Sequence, residues 1–306
     1  MTSSVGVHLK ARLVLAKVLT VFAREGIDVL PVKGIVTAYE LYGHFSERPI
    51  GDIDMLFMPS DQERISRVVL AEMWDLRVDK RAAQELEFNV DGLTIDMKGS
   101  VGPRGICAIS VREILARANR VERVGVSSYL RAELHDQALV SCLNVLRDNF
   151  VRAPAWALDD VERFARHSEF QVERMLAVAS EARLVGALWV VADWMAKHRL
   201  SNAWRAVRDR IGPCPRPLYA YLVFAVRHDT WPRVTQCVWQ LAPDRLSDQW
   251  TCIANFIFSK PMQVLLLGAW LRSRRREARL LRQRDAGTSR NSAKNVESPH
   301  FESSSI

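Results

Sequence analysis

Asp52 and Asp54 stand two residues apart in the run DIDMLFM at 52–58. The run reads as a β-strand, and the strand's period of two turns both carboxylates to one face. Acids so placed repel each other unless a cation lies between them. Magnesium, or manganese, is suited to that place: it takes carboxylate oxygens and completes its octahedron with water and substrate phosphates. Two such ions about 3.5–4 Å apart stabilise both the attacking and the leaving oxygen of an in-line displacement at phosphorus. Asp96, in LTIDMK at 93–98, offers a third carboxylate from a later strand. Lys33-Gly34 lies between an apolar strand and a helix start. There a glycine lets backbone approach a phosphate closely, the helix N–H groups attract anions, and the lysine adds charge.

The elements that position these groups follow from periodicity and turn chemistry. An amphipathic helix opens the chain and ends at Gly26, since Lys17 interrupts its apolar run and no small-residue cleavage site follows. A strand is predicted at 28–32, a helix at 35–42, the strand at 52–58, and a helix from Pro59-Ser60-Asp61 to about residue 73. Strands at 85–90 and 93–98 are joined by Asp91-Gly92, a two-residue hairpin signal. That turn fixes a register in which Val90 faces Leu93, Asn89 faces Thr94, Phe88 faces Ile95 and Glu87 faces Asp96. Phe88, Val90, Leu93 and Ile95 then face a core, while Glu87, Asn89, Thr94 and Asp96 share the other side. Glu87 is either a fourth acidic group of the site or a solvated hairpin carboxylate. Lys98 is expected on the face opposite Asp96.

From residue 129 onward helices dominate, predicted at 130–149, 158–164 and 171–198. The tryptophans of this half, Trp156, Trp189, Trp194, Trp204, Trp231, Trp239 and Trp250, are expected in a helix-bundle core. His135 is expected as a satisfied structural histidine, and Asp159-Asp160 as the N-terminal cap of the helix at 158–164. The GPCPRP stretch at 212–217 breaks the bundle.

The chain of 306 residues suffices for two cores. Its formal charge of +8 is unevenly spread, because residues 272–284 hold seven arginines and one glutamate. That segment is read as a basic, solvated helix end, and 285–306 as disordered. Residues 252–271 are apolar but broken by Lys260-Pro261, short of a clean membrane span, so no stable membrane insertion is expected. Five cysteines with no C-x-x-C pair argue against a disulfide framework or structural zinc, and point to reduced thiols in a cytoplasm.

The motifs VKGIVTAYELYG, RPIGDIDML and LTIDMK resemble the uncharacterised bacterial nucleotidyltransferase family of the polymerase-beta-like superfamily, whose signature is L-K-G, L-Y-G, R-P-x-x-D-I-D-L-L and a later V-D-L-H. LHDQALV near His135 and PAWALDDV around Trp156 and Asp159 extend the likeness more loosely, to roughly residues 8–200. The resemblance implies an α+β fold, a mixed sheet with flanking helices followed by a mostly helical domain. The expected boundaries are 1–127, 128–271 and a tail at 272–306. It implies Asp52, Asp54 and Asp96 as metal ligands, with Asp96 also a candidate base. It places Lys33 and Gly34 near the triphosphate, and gives Arg48 either a phosphate contact or a brace on its loop. It implies transfer of a nucleoside monophosphate from a nucleoside triphosphate such as ATP to a hydroxyl of a small molecule, peptide or RNA. Met97-Lys98-Gly99 departs from the family's Leu-His-aromatic after the third aspartate. Three other readings stand beside this one: a toxin-antitoxin-type nucleotidyltransferase acting on RNA or protein, a non-catalytic nucleotide-binding or assembly module, and a D-x-D that only decorates the surface of its strand.

Overall fold

The computed structural model describes residues 4–80, 84–102, 107–122, 128–147, 153–214 and 244. The basic segment at 272–284, the tail beyond it and Trp231, Trp239 and Trp250 lie outside the described residues.

The chain opens with helix α1 (Ser4–Arg24), strand β1 (Val29–Val32), helix α2 (Gly34–Leu41), strand β2 (Asp52–Phe57) and helix α3 (Gln62–Ala71). Strands β3 (Asp75–Lys80), β4 (Glu85–Val90) and β5 (Leu93–Lys98) follow. They form one mixed sheet in the order β1-β2-β5-β4-β3. β2 and β5 run parallel at its centre, with Asp52 opposite Thr94 and Asp54 opposite Asp96. The β4–β5 hairpin has the register its Asp-Gly turn predicts, from Val90 opposite Leu93 to Glu87 opposite Asp96. β3 is not foreseen in the sequence: its run DLRVDK is a polar edge strand with weak alternation.

The two faces of the sheet differ in kind. Ile53, Met55 and Phe57 of β2, Phe88 and Val90 of β4, and Ile95 and Met97 of β5 turn one way and are almost wholly buried. Leu15, Val18 and Phe22 of α1 and Ile65 and Val69 of α3 belong to the same core. The other face carries Asp52, Asp54, Thr94, Asp96 and Lys98 at the intervening positions. At one end of that face Leu30, Val32 and Leu56 join a second core, built mainly by the helical half.

The helical half is reached through α4 (Val111–Arg117) and the ribbon of β6 (Asn119–Val121) and β7 (Tyr129–Arg131). It comprises α5 (Leu134–Arg147), α6 (Ala155–Arg166), α7 (Val172–Glu181), α8 (Val185–His198) and α9 (Asn202–Ile211). The helix expected from 130 starts later because Tyr129–Arg131 pairs as a strand. The tyrosine is buried there, and its hydroxyl donates to Glu40 Oε1 at 3.0 Å. The single helix expected over 171–198 is two. Arg183 takes a left-handed φ of 55°, and the Ala182 carbonyl turns out to accept the Ala108 N–H at 2.9 Å. No glycine or proline marks that break. Trp204 meets the core expectation: it is fully buried, with Nε1 donating to the Val161 carbonyl at 3.2 Å.

Burial of Ile53, between the two aspartates, holds β2 in the orientation that turns both acids outward. Ile53→Ala is expected to cost about 2–5 kcal/mol of stability, measured by urea unfolding, as for other large-to-small changes in a packed core.

Candidate active site

Strand β2 delivers Asp52 and Asp54, and strand β5 delivers Asp96 directly beside Asp54. All three line a cleft of about 540 Å³ together with Lys33, Gly34, Arg48, Gly51 and Thr94 on the sheet side. The opposite wall is helical: Ser141 and Asn144 of α5, and Trp156, Ala157 and Asp160 of α6. A hollow of similar size on another side of α6 contains none of the triad.

The carboxylates are partnered unequally. Lys33 Nζ donates to Asp54 Oδ1 at 3.0 Å, with both side chains about 15% exposed. Lys98 Nζ donates to Asp96 Oδ2 at 2.8 Å. Lys98 therefore lies on the same face as Asp96, contrary to the expectation above. Residues two apart in a strand share a face, and the burial of β5 alternates accordingly. Asp52 makes no ion pair with any described residue. Burial raises its carboxyl above the ordinary value, and the charges of Asp54 and Asp96 raise it further, against the pull of Lys33 and Lys98. Solvent at the cleft mouth, where Asp52 is exposed, moderates the effect.

The turn that carries Lys33 is strained. Lys33 has φ 52° and ψ −144°, and Gly34 has φ 24°. A side chain held there costs on the order of 1–3 kcal/mol. The conformation puts the ammonium on Asp54 while the Lys33 carbonyl accepts the Thr37 N–H at 2.9 Å, opening α2. No side chain caps the N-terminus of α2, whose first residue, Gly34, lies in the cleft wall.

Arg48 is 3% exposed and its guanidinium is fully engaged. Nε lies 3.0 Å from Asp160 Oδ2 and Nη2 2.9 Å from the same oxygen, while Nη1 donates to the Pro49 carbonyl at 2.9 Å. Its Cζ stands 4.4 Å from the centre of the Trp156 ring. The Tyr42 hydroxyl donates to Asp160 Oδ1 at 2.7 Å, and the Arg48 carbonyl accepts from His8 Nε2 at 2.8 Å. Of the two roles foreseen for Arg48, these contacts are those of a brace: they tie the loop before β2 to α6. Burial pushes the Asp160 carboxyl upward more than Arg48 and Tyr42 draw it down.

Helix α6 departs from the expected start and from the expected cap. The helix begins at Ala155, not 158, so Asp160 sits in its interior and caps nothing. Its burial is explained by Arg48, a partner 112 residues away that local sequence does not disclose. Asp159 instead pairs with Arg199 at 3.1 Å. Trp156, expected in the bundle core, is partly buried against that core and also lines the cleft. Ser141 and Asn144 were not foreseen; as i and i+3 on α5 they share a helix face, and that spacing is the only sequence signal for them. His135 is structural as expected: Nε2 accepts the Gln171 N–H at 3.0 Å, and burial lowers its basicity.

The donor set suits a divalent cation: three carboxylates on one sheet face, one of them without an ion pair among the described residues and raised by burial and by its two neighbours. Among the described residues no three acidic, histidine or cysteine side chains are already gathered as a cage.

Two outcomes follow from this geometry. The folded state holds the Asp52 proton more tightly than the unfolded chain does. Its contribution to stability is therefore present below the ordinary carboxylate value and lost as pH rises through the raised one. Asp52→Asn is expected to gain thermal stability over wild type on going from mild acid to neutral pH, read from paired melting curves. Arg48→Ala should lose about 3–5 kcal/mol in urea unfolding, because Asp160 is left buried without a cation. Arg48→Met combined with Asp160→Leu should lose clearly less.

A family model described as an uncharacterised nucleotidyltransferase matches residues 7–200, more than half of the chain. No curated protein matches it. Among solved structures, the solution structure of the antibiotic-resistance factor ANT(2'')-Ia is similar at 10% sequence identity and a TM-score of 0.43, covering 56% of this chain and 90% of that one.

Proposed function

The chain belongs to the uncharacterised nucleotidyltransferase family, and from that premise we propose that it transfers a nucleoside monophosphate from a nucleoside triphosphate to an acceptor hydroxyl, with a divalent ion, magnesium or manganese, held by Asp52, Asp54 and Asp96. The observation that carries this reading is the pairing of Asp54 with Asp96 across parallel strands, beside Asp52, in a cleft headed by Lys33 and the start of α2.

In this reading the bound ion supplies charge neutralisation at the phosphates as negative charge shifts onto the leaving oxygen. The chain's own groups do the rest. Lys33, the Gly34 backbone and the uncapped N-terminus of α2 receive the triphosphate. Asp96 accepts the proton of the attacking hydroxyl. The new bond forms between that oxygen and the α-phosphorus. The bond from the α-phosphorus to the bridging oxygen breaks, and pyrophosphate leaves with the electron pair. Ser141, Asn144 and Trp156 present hydrogen-bonding and stacking surface to the base or the acceptor. Arg48 keeps that wall at a fixed distance from the carboxylates. We assign the sheet half, to about residue 127, to the chemistry and the helical half beyond it to recognition. We place the reaction in the cytoplasm, where the cysteines stay reduced.

The test is label transfer from each α-labelled nucleoside triphosphate, with magnesium or manganese, into an extract of the source cells. Wild type and Asp54→Asn are run side by side. Label is expected to enter an acceptor with wild type and one triphosphate, and not with the variant. Absence of label with wild type, while nucleotide still binds, would instead mark a nucleotide-binding module without turnover.

A further inference from the structure

We propose that Lys33 and Lys98 are placeholder cations. Each holds a carboxylate of the triad in the nucleotide-free protein and transfers to the phosphates when nucleotide arrives, so that divalent ion and triphosphate bind as a coupled pair. The inference rests on the reading of Asp52, Asp54 and Asp96 as metal ligands.

Each ammonium engages an oxygen that a cation would take. Lys33 Nζ is 3.0 Å from Asp54 Oδ1 and Lys98 Nζ is 2.8 Å from Asp96 Oδ2. A divalent ion at either carboxylate meets a positive charge already in contact with it, and the partial burial of both pairs weakens screening of that repulsion. Three carboxylates against two ammonium groups leave one net negative charge, little with which to recruit a divalent ion alone.

A triphosphate changes the balance. It offers both lysines a stronger anion, and their departure frees two carboxylates at once. The lysine stem is long and flexible, so the ammonium can move while the backbone stays in place. For Lys33 that backbone is locked by the strained turn and by the Thr37 N–H on its carbonyl. Linkage then requires that nucleotide tighten metal binding by the same factor as metal tightens nucleotide binding.

The test measures Mn²⁺ binding by the full chain through the paramagnetic resonance signal of free Mn²⁺. It is run with and without the α,β-methylene analogues of the four common nucleoside triphosphates, with each analogue's own Mn²⁺ binding subtracted. Wild type is expected to bind Mn²⁺ about tenfold more tightly with the analogue that fits than without it. Lys98→Met should bind about tenfold more tightly than wild type in the absence of nucleotide, and should be helped correspondingly less by it. Lys98→Gln, which keeps a polar side chain, should behave likewise. Unchanged Mn²⁺ affinity in both Lys98 variants, with weakened binding in Asp54→Asn, would overturn the placeholder role and leave the metal assignment standing. Binding in Asp54→Asn equal to wild type would remove the metal assignment and the placeholder role together.

Discussion

Like charge is the constraint around which this protein is built. Three carboxylates on adjacent positions of two parallel strands repel, and the repulsion grows as water is excluded. The sheet accepts them because its opposite face is held by a continuous apolar layer. Ile53 between the aspartates, and Ile95 and Met97 on either side of Asp96, are fully buried. Turning the acids away from one another would expose that layer, since a one-residue slip inverts every side chain. The hydrophobic core thus fixes a charge arrangement that electrostatics alone would disperse. Lysines fill the remaining need, one of them at the cost of a backbone conformation that few residues other than glycine adopt.

The second organising contact is the buried pair of Arg48 and Asp160. It joins the loop that leads into the acidic strand to the helix forming the far wall of the cleft. Tyr42 at the end of α2, the His8 ring of α1 and Trp156 of α6 itself converge on it. A buried pair of this kind adds little net stability compared with apolar residues of the same size, but removing one partner strands a buried charge at high cost. The pair thereby ties the helical wall of the cleft to the loop that leads into the acidic strand. The motif arginine thus influences the site by holding its walls in place.

The parts of this site legible in the sequence are those governed by short-range periodicity. The Asp-Gly turn fixed the hairpin register residue by residue, and the D-x-D spacing placed both acids on one face. The same rule places Lys98 on the face of Asp96. What periodicity does not reach are contacts between distant segments. Nothing near Asp160 identifies Arg48 as its partner, and the helix start at Ala155 removes the capping explanation only once the backbone is seen. The break between α7 and α8 is a left-handed cap at Arg183, with the Arg183 and Leu184 N–H groups bonding back to the Ser180 and Ala179 carbonyls, and it lacks the glycine that usually announces such a cap. The edge strand β3 is obscured by its polar composition, which suits an edge exposed to water.

Burial and pairing run in parallel across the carboxylates of the cleft, and the order has a physical reason. Asp160, with its side chain 4% exposed, has an arginine fork and a tyrosine hydroxyl. Asp54, at 16%, has one ammonium inside hydrogen-bonding distance. Asp96, at 28%, has another. Asp52, the most exposed of them, has none among the described residues. Desolvation penalises an uncompensated charge in proportion to its depth, so the surplus negative charge is tolerable only where water still reaches it. The carboxylate without an ion pair among the described residues is accordingly the exposed one. The deeper carboxylates already have their cations. The gradient from exposed to buried carboxylates therefore follows from the cost of burying charge.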